Sequence, residues 1–161
     1  PMSQSLYEKC VLGGFVLLCF AVAGLGSLAT TPAIDGWYAT LSKPTWTPPN
    51  WVFGPVWSAL YLSMAVAAWV VWRGHPWSTT RLPLFVFLGQ LTLNLLWSII
   101  FFGLQRPGVA LLEILLLWGT IVATLLAFRR LSPLAAALLV PYLLWATFAV
   151  ALNFAIWRMN M

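Results

Sequence analysis

The sequence predicts an all-α membrane protein, a five-transmembrane-helix bundle whose first loop is long and rich in proline and tryptophan. Three observations carry this. Of 161 residues, 62% are hydrophobic and only 7% charged, whereas a soluble domain carries roughly 25% charged residues. Five stretches, at residues 10–30, 51–72, 82–105, 107–128 and 133–157, are uncharged or nearly so, and a membrane crossing needs about 20 mostly apolar residues. Apart from Glu113, every charge falls between or beyond those stretches. The chain is therefore read as a single membrane domain over residues 1–161.

The first span, 10–30, begins after Lys9 and contains Ala21-Val22-Ala23, which resembles a secretory cleavage site. The apolar run continues well past Ala23, so it is read as a retained span. Gly13-Gly14 and Ala23-x-x-x-Ser27 give it small packing faces. Cys10 and Cys19 lie roughly 13 Å apart along this helix and cannot bridge. The second span holds Gly54-Pro55 and the fifth holds Pro141. Each proline removes an amide donor and frees the carbonyl four residues back, at Trp51 and Ala137. Pro107 suits the first turn of the fourth span, and Ser132-Pro133 reads as cap and first residue of the fifth.

Five spans put the termini on opposite sides. Lys9, Arg73, Arg81, Arg129 and Arg130 share one side, and Lys43, Arg106 and Arg158 the other. This favours a cytoplasmic N-terminus, in a bacterial cell membrane or, as the alternative, an outer membrane. The basic residues are scattered singly, so the net charge of +5 does not form a phosphate-tracking stripe, and no nucleic-acid partner is expected. Metal-ligand spacing, a Walker-type glycine loop and a nucleophile elbow are all missing from the sequence. Hydrolase, metalloenzyme and ATP-driven pump fit poorly.

The connection over residues 31–50 is far longer than the 2–8 residues of ordinary bundle loops. Its prolines (Pro32, Pro44, Pro48, Pro49) stiffen it, and its aromatics (Trp37, Tyr38, Trp46) suit a lid. Beneath it, Trp57 and Tyr61 lie roughly 10 and 15 Å into the second span, with Asn94 and Trp97 at similar depths in the third. Tyr142, Trp145, Ala149 and Asn153 run along one face of the fifth span, and Gln90, Asn94 and Trp97 along one face of the third. Three polar-aromatic stripes converging in one half of the membrane predict a cavity for a flat, mostly apolar ligand stacked on indoles. Lys43, Arg106 and Arg158 are placed to draw carboxylates to its mouth. Glu113, the only acid inside a span, is expected to tether a neighbouring helix. Trp118 is expected to face lipid, and Trp69, Trp72 and Trp77 to form a belt at the opposite interface.

The order of motifs narrows the reading. Trp37-Tyr38-x-x-Leu41-x-Lys43-Pro44-x-Trp46-x-Pro48-Pro49, then Pro55-Val56-Trp57, Asn94-x-x-Trp97 and Val140-Pro141-Tyr142-Leu143-x-Trp145 resemble the TspO/translocator-protein family, the tryptophan-rich sensory proteins. The resemblance implies a homodimer in the lipid bilayer that binds porphyrins such as protoporphyrin IX as ligand and requires no cofactor. It also implies tetrapyrrole transport or stress- and light-linked regulation. The alternatives are light-dependent porphyrin breakdown, which would use Trp57 and Trp145, or a membrane scaffold or sensor acting through partner proteins. Carried over by position, Trp37 and Tyr38 match the lid, Trp57 and Trp145 the pocket tryptophans, and Asn94 and Trp97 the third-helix wall. Tyr61, Tyr142 and Ala149 complete the expected ligand-binding set. One departure is Phe154, which stands where a proposed sterol motif of animal relatives has tyrosine. No membrane histidine is available to ligate a haem iron, which favours a metal-free ring.

Overall fold

A computed structural model describes residues 3–161. Helix α1 (Gln4–Ile34) is followed by a single helical turn, α2 (Trp37–Thr40). Four long helices complete the chain: α3 (Asn50–Gly74), α4 (Trp77–Ser98), α5 (Pro107–Leu131) and α6 (Pro133–Met159). A π-helical segment at Ile99–Gly103 continues α4. Counting that segment with α4, five helices among the described residues are long and apolar enough to cross a membrane, as the sequence predicts.

The helices outrun the expected spans at most ends, because polar termini continue the helix beyond the hydrocarbon. Ser3 caps α1 by accepting from the Leu6 amide at 3.3 Å, and Ser132 caps α6 by accepting from Ala135. Helix α1 runs four residues past the expected end and takes Pro32 with it. Together with α2, this leaves only residues 35–36 and 41–49 of the long connection outside helices. The third span carries a departure with no periodicity signal, the wide turn at Ile99–Gly103. Such turns insert one residue into the helical register and recur at functional sites. The chain then leaves the helix through Gln105, whose φ of 56° lies in the left-handed region.

Helix α6 packs along α5, α1 along α3 and α4 along α5. The half of the bundle away from the α2 loop is solid. Met64, Ala65, Ala67, Ala68 and Val71 of α3 are fully buried among Phe87, Ile121, Phe128 and Leu139. Alanines on α3 and α6 let the backbones approach closely. The Phe87 and Phe128 rings stack at 5.9 Å. Both embedded prolines sit inside continuous helices. Near Pro141, the Ser63 hydroxyl donates to the Leu138 carbonyl at 2.6 Å, tying α3 to α6. The bond falls on the carbonyl next to that of Ala137, the one Pro141 frees.

Candidate functional site

The opposite half of the bundle encloses a cavity of about 620 Å³. Helices α1, α3, α4 and α6 form its walls and Tyr38 of α2 covers one end, while α5 contributes nothing to the lining. Of the residues expected at a site, Tyr38, Trp57, Tyr61, Asn94, Trp97, Trp145 and Ala149 line it. Trp37 and Tyr142 do not. Trp37 packs edge-on against Phe101 at 5.7 Å. Tyr142 is 1% exposed and lies in the core behind the lining. The 3,4,4 spacing places Tyr142 on the same stripe as Trp145 and Ala149, but the cavity ends a turn before it.

The Trp57 and Trp145 indoles stand 6.5 Å apart with their planes at 88°. Phe53 meets Trp145 edge-on at 5.8 Å, and Trp57 lies tilted over Tyr61 at 5.7 Å. Trp97 stacks on Phe101 at 5.2 Å and donates its indole N–H to Asn153 Oδ1 at 3.0 Å. Asn153 in turn donates to the Pro107 carbonyl at 2.8 Å. One amide thus fixes both a cavity wall and the start of α5. The spacing of small residues on α1 suggests a packing face, and here it makes a wall. Gly24 and Ser27 line the cavity and are also exposed, as are Trp51, Gly54 and Ser58 across from them on α3. The cavity is therefore bordered by exposed residues on two adjacent helices. Phe53, Phe101, Phe102 and Phe148 are lining residues that no sequence signal separates from lipid-facing phenylalanines.

The inner end is polar. Tyr61 Oη donates to Asn94 Oδ1 at 2.8 Å, Asn94 Nδ2 donates to Tyr142 Oη at 2.8 Å, and Tyr142 Oη donates to Gln90 Oε1 at 2.7 Å. Gln90 Nε2 ends the chain on Met64 Sδ at 3.7 Å. The stripe of Gln90, Asn94 and Trp97 expected from spacing is real, but only its last two members reach the cavity.

The loop is pinned by its own lysine. Lys43 Nζ donates to the carbonyls of Tyr38 at 2.7 Å, Leu41 at 3.0 Å and Ala39 at 3.4 Å, and lies 4.8 Å from the Tyr38 ring centroid. This corrects its expected role as a carboxylate attractor, because carbonyls of the α2 turn claim its donors. Asn160 closes the same loop from α6, accepting from the Ser42 amide at 3.0 Å and donating to the Ser42 carbonyl at 2.8 Å. Burial pushes the Tyr38 phenol above its ordinary pKa.

One further expectation is corrected. Glu113 tethers nothing, for both carboxylate oxygens are buried without a partner. Donors on its own and the adjacent helix are engaged elsewhere, Trp118 on Thr147 and Asn153 on Pro107. Trp118 is partly lipid-facing, at 37% exposure, but its N–H is satisfied by the Thr147 hydroxyl at 2.8 Å. At the far interface Trp69 donates to the Glu8 carbonyl and Trp72 packs on Tyr7, while Trp77 stays exposed.

Comparison with known proteins places this architecture. The human Translocator protein is 47% identical over 126 residues, covering 77% of this chain and 75% of the relative. The Tryptophan-rich protein TspO of Chlorobaculum tepidum is 46% identical over 144 residues, 89% of this chain and 91% of the relative. The Tryptophan-rich sensory protein of Cereibacter sphaeroides is 41% identical over 142 residues, 86% and 88% respectively. The model of the TspO/MBR family matches residues 15–158. With five apolar spans and this coverage, the chain is a multi-pass integral membrane protein that belongs to the TspO/MBR family.

Proposed function

We propose that this protein binds a porphyrin or similar tetrapyrrole in the cavity beneath α2, as part of its transport or of stress- or light-linked regulation. The observation that carries the reading is the crossed pair of indoles, Trp57 and Trp145, in a chamber of about 620 Å³. That volume falls within the roughly 300–1,000 Å³ of small-molecule sites. A flat macrocycle laid on one indole face meets the other edge-on, the two arrangements that aromatic quadrupoles favour. The lining has no histidine, the usual axial ligand of a haem iron, which favours a metal-free ring. Exposed Arg106 stands just before α5 and exposed Arg158 in the last turn of α6, at the loop-side end where propionates would emerge. Assembly as a homodimer belongs to the same proposal and is read from the mass of the detergent-solubilised protein by light scattering.

The test is a titration with protoporphyrin IX followed by tryptophan fluorescence. Saturable quenching is expected. Each of Trp57→Phe and Trp145→Phe should weaken binding about two- to tenfold, because aromatic pairs contribute about 0.5–1.5 kcal/mol beyond burial. Absence of quenching, or unchanged affinity in the double variant, overturns the proposal.

A further inference from the structure

The four hydrogen bonds at the inner end of the cavity have a direction, and one atom that cannot donate sets it. Met64 Sδ carries no proton, so the group of Gln90 facing it at 3.7 Å is the amide NH2. Gln90 therefore turns its carbonyl oxygen to Tyr142, whose hydroxyl donates at 2.7 Å. With its proton committed there, the Tyr142 oxygen accepts from the Asn94 NH2, and Asn94 presents its carbonyl to Tyr61. Tyr61 must then donate inward, at 2.8 Å. Every link follows from the previous one, starting from a sulfur two residues outside the lining. Gln90, Met64 and Tyr142 are at most 1% exposed, so water cannot substitute for a missing partner.

From this we infer that Tyr61 meets the cavity as a hydrogen-bond acceptor only, and that Met64 and Gln90 are positioning residues that select ligands bearing an N–H or O–H donor at their buried end. The inference rests on the proposed ligand site and adds its selectivity. An N–H at the edge of a flat ligand, as in carbazole or an open-chain tetrapyrrole, satisfies the Tyr61 oxygen, whereas the N–H groups of a closed porphyrin point into its own centre. A carbonyl or ether oxygen set against it faces lone pair to lone pair. Asn94 keeps a second amide hydrogen, which blunts this discrimination without reversing it. Carboxylates are left to the loop end of the cavity.

Carbazole, dibenzofuran and fluorene test the inference, being flat tricycles of one shape that present N–H, oxygen and CH2 respectively. Tryptophan quenching of the full chain in lipid nanodiscs gives the three affinities. Carbazole should bind about three- to tenfold more tightly than dibenzofuran, the span of one net hydrogen bond. Gln90→Leu should bring that ratio to one or below, although residue 90 does not line the cavity. Without the Gln90 acceptor, Tyr142 can donate to Asn94, Asn94 to Tyr61, and Tyr61 into the cavity. Tyr61→Phe should also bring the ratio to one, and Met64→Leu, a mild core exchange, should narrow it if Gln90→Leu does not fold. Equal affinities for carbazole and dibenzofuran in the unmodified protein overturn this inference and leave the ligand site standing. An unchanged ratio in folded Gln90→Leu or Met64→Leu overturns the relay from the sulfur. Absence of quenching by all three tricycles removes the site and this inference together.

Discussion

Replacing Asn94 with leucine removes the centre of the buried chain while keeping the same heavy-atom branching. Two hydrogen bonds of 2.8 Å disappear, and the tyrosines that made them are 5% and 1% exposed. The losses are unequal. Tyr142 still donates to Gln90, whereas Tyr61 loses its only protein acceptor. An orphaned buried donor costs about 1–3 kcal/mol in soluble proteins. Interhelical hydrogen bonds within membranes average about 0.6 kcal/mol, with a maximum near 1.7. One orphan plus one weakened partner therefore predicts a loss of about 1–3 kcal/mol, measured by reversible SDS-driven unfolding in mixed micelles. Tyr61→Phe supplies the control, since it deletes the stranded hydroxyl. The double variant should be less destabilised than the sum of the two single variants by about 1 kcal/mol. An Asn94→Leu protein within about 0.5 kcal/mol of the unmodified chain, or strict additivity, would refute the reasoning.

Gly108→Ala places a Cβ 2.8 Å from Trp157 Nε1 and 3.2 Å from Cδ1. A rigid indole yields little, so unfolding should show a loss of about 1–3 kcal/mol, largely restored by Trp157→Leu. Lys43→Met strips three loop carbonyls of their donor, and Asn160→Ala removes both bonds to Ser42. Each should speed proteolysis within residues 41–49 several-fold, and unchanged protection would count against the pinned loop. Tyr38 is neutral and buried, with its folded pKa raised. The stability it contributes is therefore complete below its unfolded pKa of about 10 and is lost as pH rises through the higher folded value. Alkaline titration of tyrosinate absorbance should show one fewer late-ionising group in Tyr38→Phe than in the unmodified protein, the buried Tyr61 and Tyr142 remaining.

Much of this was legible because membrane spans announce themselves by composition. The five helices, the convergence of Trp57, Asn94, Trp97 and Trp145, and the cover supplied by Tyr38 all follow from length, period and depth. What escaped has physical reasons. Lys43 looked free because its partners are backbone carbonyls, which no side-chain pattern reports. The π-helical turn at Ile99–Gly103 changes register by one residue without any glycine or proline before it to mark the change. Phe101 and Phe102 on that turn are chemically indistinguishable from phenylalanines that meet lipid. Tyr142 and Trp145 are neighbours on one face, and only the depth at which the core closes decides that one lines the cavity and the other supports it. Glu113 was misread because a lone acid in a span invites a partner, and the packing supplies none.

The chamber is a cup, and its base is solid. Past Tyr61, α3 continues into Met64, Ala65, Ala67 and Ala68, closed over by the stacked rings of Phe87 and Phe128. Material this dense does not part for a rigid macrocycle without large rearrangement. The rim is different: at Gly24 and Gly54 a Cβ would touch nothing within 4 Å. A guest that entered by this rim would have to leave by it, and passage through the base would need a different arrangement of the helices.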